Sequence, residues 1–170
     1  EVPRPGPAIR YFMQPAQFRG PGGRTRVELL LGVPDPDAGK LDLKREVAVY
    51  NPDWTCLIDD VGFLDPDARI PDRKNPGKAT LVDILQFTTD LDSVRVGSQM
   101  SDARNHGFGA GLEPLRIRRF AGSGLLMSDL VLMDRVGFEP RDDRFVRPGG
   151  WGIPNPARVY LSGENIPVYF

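Results

Sequence analysis

The stretch Arg24-Thr25-Arg26-Val27-Glu28-Leu29-Leu30-Leu31-Gly32-Val33 decides the fold class. Thr25, Val27, Leu29 and Leu31 fall at every second position, the period of a strand with one face in a core. The turn Gly20-Pro21-Gly22-Gly23 separates it from a first strand over residues 8–13. Beyond it, residues 41–50 alternate through Leu41, Leu43, Val47 and Val49, with Arg45 interrupting the series, and residues 54–59 supply a short partner. Residues 79–89 would permit a helix through Leu81, Val82, Ile84 and Leu85, but the ending Phe87-Thr88-Thr89 favours a strand. Residues 93–100 and 112–122 read as a further pair, joined by a glycine-rich loop around 105–111. Seven or so short strands between turns predict an all-β protein: an immunoglobulin-like or transthyretin-like two-sheet sandwich with extended N- and C-terminal segments.

Composition points the same way. The 170 residues include 19 glycines and 17 prolines spread along the chain, a punctuation that long helices do not survive. No apolar run is long enough for a transmembrane helix. With 22 basic and 23 acidic residues there is no cationic excess to hold a phosphate backbone, which argues against nucleic acid as a partner. Residues 1–7, with Pro3, Pro5 and Pro7, read as an extended tether, and residues 8–133 as the sandwich. Residues 134–170 read as an irregular connector with two short β-like runs, 157–161 and 166–170. Glu1 in place of an initiator methionine suggests a removed leader or a piece of a longer chain.

The last third carries four segments: Gly124-Leu125-Leu126-Met127-Ser128-Asp129-Leu130-Val131-Leu132-Met133, then Phe145-Val146-Arg147-Pro148-Gly149, then Ile153-Pro154-Asn155-Pro156-Ala157-Arg158-Val159-Tyr160, then Ile166-Pro167-Val168-Tyr169-Phe170. Over residues 122–170 this resembles bacterial GWxTD domain-containing proteins, in which a β-sandwich precedes the Ser-Asp segment and a valine-tyrosine-phenylalanine-glutamate strand opens the next β domain. The GWxTD signature itself is absent, since Gly150-Trp151 is followed by Gly152-Ile153-Pro154. The resemblance implies a β-sandwich and export from the cell, and carries no activity.

Catalytic constellations are scarce, and the chain reads as a non-enzyme. One histidine, His106, sits among glycines, and one cysteine, Cys56, reads as a lone buried thiol. One of each cannot make a transition-metal site. Asp35 and Asp37 with Glu46 faintly echo a calcium loop, but the glycine is displaced, so no cofactor is expected beyond a weak calcium possibility there. Ser128 and Asp129 lack a base and read as local backbone-bonding residues at a strand-to-turn junction. Trp54, Trp151 and the tyrosines would suit either a core or a stacking platform for glycan or peptide.

The terminal run is the sharpest feature. Ile166, Val168 and Phe170 share one apolar face that something must cover. Either the run docks on its own sandwich or it completes a neighbouring subunit by strand addition, in which backbone bonds hold the strand and alternate side chains fill pockets. The 37 residues from 134 span on the order of 100 Å when extended, so reach is no obstacle. Val159, Leu161, Ile166, Val168, Tyr169 and Phe170 are the expected subunit interface. The expected role is a secreted or cell-surface subunit of an extracellular filament, with copies of itself as partners. The alternatives are a monomeric binding module for glycan or peptide, and a non-catalytic piece of a larger cell-surface protein.

Overall fold

The computed structural model describes residues 6–35, 42–75, 77–104, 106–120, 126–137, 143–147, 150–158 and 160–170. Its strands are β1 (Phe12–Arg19), β2 (Thr25–Asp35), β3 (Leu43–Tyr50), β4 (Cys56–Phe63), β5 (Arg69–Pro71), β6 (Ala79–Thr89), β7 (Ser93–Asp102), β8 (Phe108–Arg116), β9 (Val131–Gly137), β10 (Val146–Arg147), β11 (Gly150–Pro154) and β12 (Val168–Tyr169). They form three sheets, ordered β1-β2-β6-β5, β4-β3-β7-β8 and β10-β11-β9-β12, and the strand pairs within them are antiparallel. The first two orders are those of an immunoglobulin-like sandwich, A-B-E-D facing C′-C-F-G.

The sheet containing β2 is the middle layer, and its sequence shows why. Val27, Leu29, Leu31 and Val33 point into a core shared with Leu43, Val47 and Val49 of β3 and Val94, Val96 and Met100 of β7. Each such side chain contributes about 1.5–3 kcal/mol by leaving water. The intervening Leu30 points the other way, into a second core with Phe18, Val82, Ile84, Val131, Met133 and Trp151. A strand buried on both faces reads as a near-continuous apolar run, which is the meaning of Leu29-Leu30-Leu31. Phe12 of β1 lies opposite Gly32, and a Cβ there would fall 2.3 Å from the Phe12 ring.

Several expectations move. The first strand runs over Phe12–Arg19 and passes through Pro15; as an edge strand it tolerates a missing N–H. Residues 108–111 belong to β8, not to a loop. Glycine is needed there because the N-terminal segment runs beside this edge: Ile9 N–H donates to the Phe108 carbonyl at 2.9 Å, and a Cβ on Gly109 would meet the Ile9 carbonyl at 2.2 Å. Ala157 and Arg158 lie in a turn closed by Arg158 N–H on the Asn155 carbonyl, not in a strand. Arg45 does not interrupt the inward face of β3; it occupies it. Its guanidinium bonds the buried carboxylate of Asp83 on β6 and that of Asp60 on β4. Burial alone would lower the Arg45 pKa, but Asp83 and Asp60 outweigh it, and the net shift is upward.

Candidate assembly surface

The third sheet covers the face of β1-β2-β6-β5 that an ordinary two-sheet sandwich leaves to solvent. Its attachment begins with Glu28, which the period of β2 turns toward the second core and leaves fully buried. A lone carboxylate there would be costly, and Arg147 of β10 meets it at 2.8 Å. Arg147 also donates to the Gly152 carbonyl at 2.7 Å, which ties the ion pair to β11. Around this pair, Arg144 reaches Asp83 at 3.0 Å, and Arg73 bridges Asp134 at 2.9 Å and Glu164 at 3.1 Å.

The terminal segment closes the free edge of β9. Val168 pairs with Leu132 and Tyr169 with Val131, while Met133 N–H donates to the Pro167 carbonyl at 2.9 Å. The Tyr169 ring is seated 5.2 Å from that of Phe18, with the Arg26 and Arg147 guanidiniums 5.6 and 5.2 Å from its centroid. Arg26 also donates to the Tyr169 hydroxyl. Upstream, Tyr160 donates to the Met133 carbonyl at 3.3 Å; burial, then the charge of Asp134, pushes its phenol pKa up.

Of the residues expected at an interface, Tyr169 therefore faces inward. Leu161, Ile166 and Val168 are exposed, and Phe170 is 78% exposed. Val159 lies outside the described residues. So does Asp37 of the calcium reading, and the Asp35 side chain is not described either; among the described residues no group of three His, Cys, Asp or Glu is placed to hold a metal. His106 is exposed with φ of 56°. Cys56 is exposed on the edge strand β4 rather than buried, its thiol directed at the Ile58 carbonyl.

Ser128 and Asp129 do bond backbone, but not locally. Asp129 exchanges bonds with Gln17 of β1, its carboxylate accepting from Gln17 N–H at 2.8 Å and its own N–H donating to the Gln17 carbonyl at 2.9 Å. Arg118 holds the other carboxylate oxygen at 2.9 Å. The motif thus extends the edge of β1, which local sequence could not reveal.

The two tryptophans divide. Trp151 is buried in the second core, whereas Trp54 is 55% exposed at the β3–β4 hairpin, 4.5 Å from Arg95 and 5.9 Å from Tyr50. The outward face of β4-β3-β7-β8, with Val61, Phe63, Phe108 and Leu112 exposed, escaped the sequence reading. The alternation of Val61 and Phe63 with Asp60 and Gly62 was its one signal.

Fold and surface together define an all-β, immunoglobulin-like sandwich capped by a third sheet. No family profile matches the chain, and no solved structure matches it. A stretch of 42 residues, 25% of the chain, is 45% identical to small ribosomal subunit protein uS9 from two strains of Thermus thermophilus. The chain spans about a third of the length of these curated relatives, 33% in each case.

Proposed function

We propose that this chain is a non-catalytic structural subunit of an extracellular filament, joined head to tail through its C-terminal segment. The supporting observation is the division of that segment. Tyr169 anchors it to β9 and the middle sheet, while Ile166, Val168 and Phe170 on its other side stay in water. Single exposed apolar residues are ordinary, but a contiguous exposed apolar strip marks a surface meant for a partner. The extracellular placement rests on the resemblance of residues 122–170 to exported bacterial proteins. A ribosomal role has no comparable support, since 22 basic against 23 acidic residues leave no cationic excess for RNA.

Sedimentation velocity over a wide range of concentration tests the proposal. The full chain should grow in mass with concentration, and a variant lacking residues 166–170 should stay monomeric. A truncated protein that still polymerises, or a full chain that stays monomeric throughout, overturns it.

A further inference from the structure

We propose that the outward face of the β4-β3-β7-β8 sheet receives the outward face of the third sheet of a second copy, so that copies stack into an open chain. This rests on the head-to-tail reading and names its missing half, the surface that accepts the tail.

The distribution of exposed apolar side chains carries the inference. Among the described residues, the large exposed ones come from two regions only: residues 54–112, on or beside the β4-β3-β7-β8 sheet, and residues 126–170. None comes from β1, β2, β5 or β6, whose sheet is sandwiched between the other two. Val61 and Phe63 of β4 with Phe108 and Leu112 of β8, and Val136 of β9 with Val168 of β12, therefore lie on opposite outer sides of a three-layer stack. Matching one to the other on a second copy is a heterologous contact, which leaves a free face at each end and continues as a filament unless rotation closes a ring.

Register gives the receiving face its relief. Phe63, Lys44, Ser101 and Phe108 lie in one row across the four strands, and Asp59, Ala48, Gly97 and Leu112 in another. Between Val61 and Phe63 on one side and Phe108 and Leu112 on the other, the small Ala48, Gly97 and Ser101 lie among the longer Lys44, Glu46 and Gln99. In the rows from Lys44 to Tyr50 the outward charges are Lys44, Glu46, Asp59 and Arg95, two of each sign. Lys44 and Glu46 are paired at 2.6 Å, and Arg95 is bonded to the Pro52 carbonyl beneath Trp54. A neutral face of this kind offers little to a highly charged partner and suits an apolar one.

Trp54 adds a second argument. It has φ of 67° at the hairpin tip, a conformation that normally selects glycine. Asn51 braces this turn, its side-chain oxygen accepting from Asp53 N–H at 2.9 Å and Thr55 N–H at 2.8 Å. Strain spent on holding an exposed aromatic ring in place is a feature of binding surfaces.

Size is also suitable. Four strands at ~4.8 Å and about nine residues at ~3.3 Å make a face on the order of 600 Å² in projection. A standard interface takes about 800 Å² per partner over a corrugated surface.

The test is a complementation of two double variants of the full chain. Val61→Asp with Phe63→Asp blocks the receiving face, and Val168→Asp with Phe170→Asp blocks the tail face. Each alone should be monomeric at concentrations where the wild type elongates. Mixed one to one they should form a dimer and stop there, because one compatible joint remains. All four side chains are exposed, so circular dichroism and melting temperature should match the wild type; if they do not, Val61→Thr with Phe63→Ser repeats the experiment with smaller changes. Should the tail variant fail to assemble while the receiving-face variant polymerises normally, the head-to-tail reading stands and this surface is wrong. A receiving-face variant that is monomeric but is not rescued in the mixture points to face-to-face dimers and also overturns the proposal. A wild type that never assembles overturns both.

Discussion

The guanidinium of Arg147 lies 2.8 Å from the carboxylate of Glu28, and both side chains are shut away from solvent. The two residues are 119 positions apart, so one ion pair joins the second strand of the sandwich to the sheet that caps it. Their coupling makes the third sheet part of the fold rather than an appendage.

Removing one partner alone should therefore be costly. Arg147→Met leaves the buried Glu28 with only the more distant Arg26, 3.7 Å away, as counter-charge, and the expected loss is about 3–5 kcal/mol at most. Replacing both, Glu28→Leu with Arg147→Met, should recover most of that loss, because a matched apolar pair avoids desolvation. Urea unfolding of the two variants checks this, and a double variant no more stable than the single one would contradict it.

The ion pairs around Asp83 and Asp60 permit a comparison within one network. Both carboxylates bond Arg45, but the Asp83 side chain is fully buried whereas that of Asp60 is 37% exposed. Asp83→Asn strands Arg45 without its buried counter-charge and should cost about 3–5 kcal/mol. Asp60→Asn should cost about 1 kcal/mol or less, because Asp60 is itself partly solvated and Arg45 keeps its buried partner Asp83. Equal losses in denaturant titrations would refute the burial argument.

Gly109→Ala should peel the N-terminal segment from β8. Its Cβ would sit 2.2 Å from the Ile9 carbonyl, a backbone atom that can yield only by moving the segment. Overpacking of this kind costs about 1–3 kcal/mol. Hydrogen exchange should accelerate at Ile9, whose N–H bonds the Phe108 carbonyl, while the β3–β7 amides stay protected.

Acid and alkali should reveal different groups. The Arg119 side chain, by hydrogen bond and then by charge, holds the Asp92 carboxyl below its ordinary value. A depressed folded pKa means stability that is present above the unfolded value and lost as pH falls through the folded one. NMR titration should place Asp92 below a free aspartate, and Arg119→Gln should return it to the ordinary range. Tyr11 is shifted upward, first by burial and also by Glu113, against the opposing effect of its Ser98 bond. Its contribution is present below the ordinary phenol pKa and is lost as pH rises through the raised one; Tyr160 is shifted the same way, so ultraviolet titration should find two tyrosines ionising late.

Much of the sandwich was legible because its signals are local. The period of Val27, Leu29 and Leu31, the Gly20–Gly23 turn and the β-branched content of Ile84–Thr89 each act within a few residues. The strand nature of residues 79–89 was readable for that reason, although the spacing alone permitted a helix. The glycine-rich stretch 107–111 misled because glycine has two uses. It makes loops flexible, and it also lets two backbones approach, as Gly109 does beside Ile9. Nothing in the neighbouring residues distinguishes the two.

The apolar alternation of Ile166, Val168 and Phe170 was equally visible, but which side of the strand faces in was not. Tyr169 turns inward because Phe18, Arg26 and Arg147 converge from three distant segments to seat its ring and hydroxyl. The sequence by itself determined the strands, because side-chain alternation and turn chemistry are properties of neighbours along the chain. Only the tertiary structure decided that Glu28 would be neutralised, that the sandwich would carry a third layer, and which two faces would stay apolar and open. Those outcomes depend on partners more than a hundred residues apart, and on which sheet face is already taken.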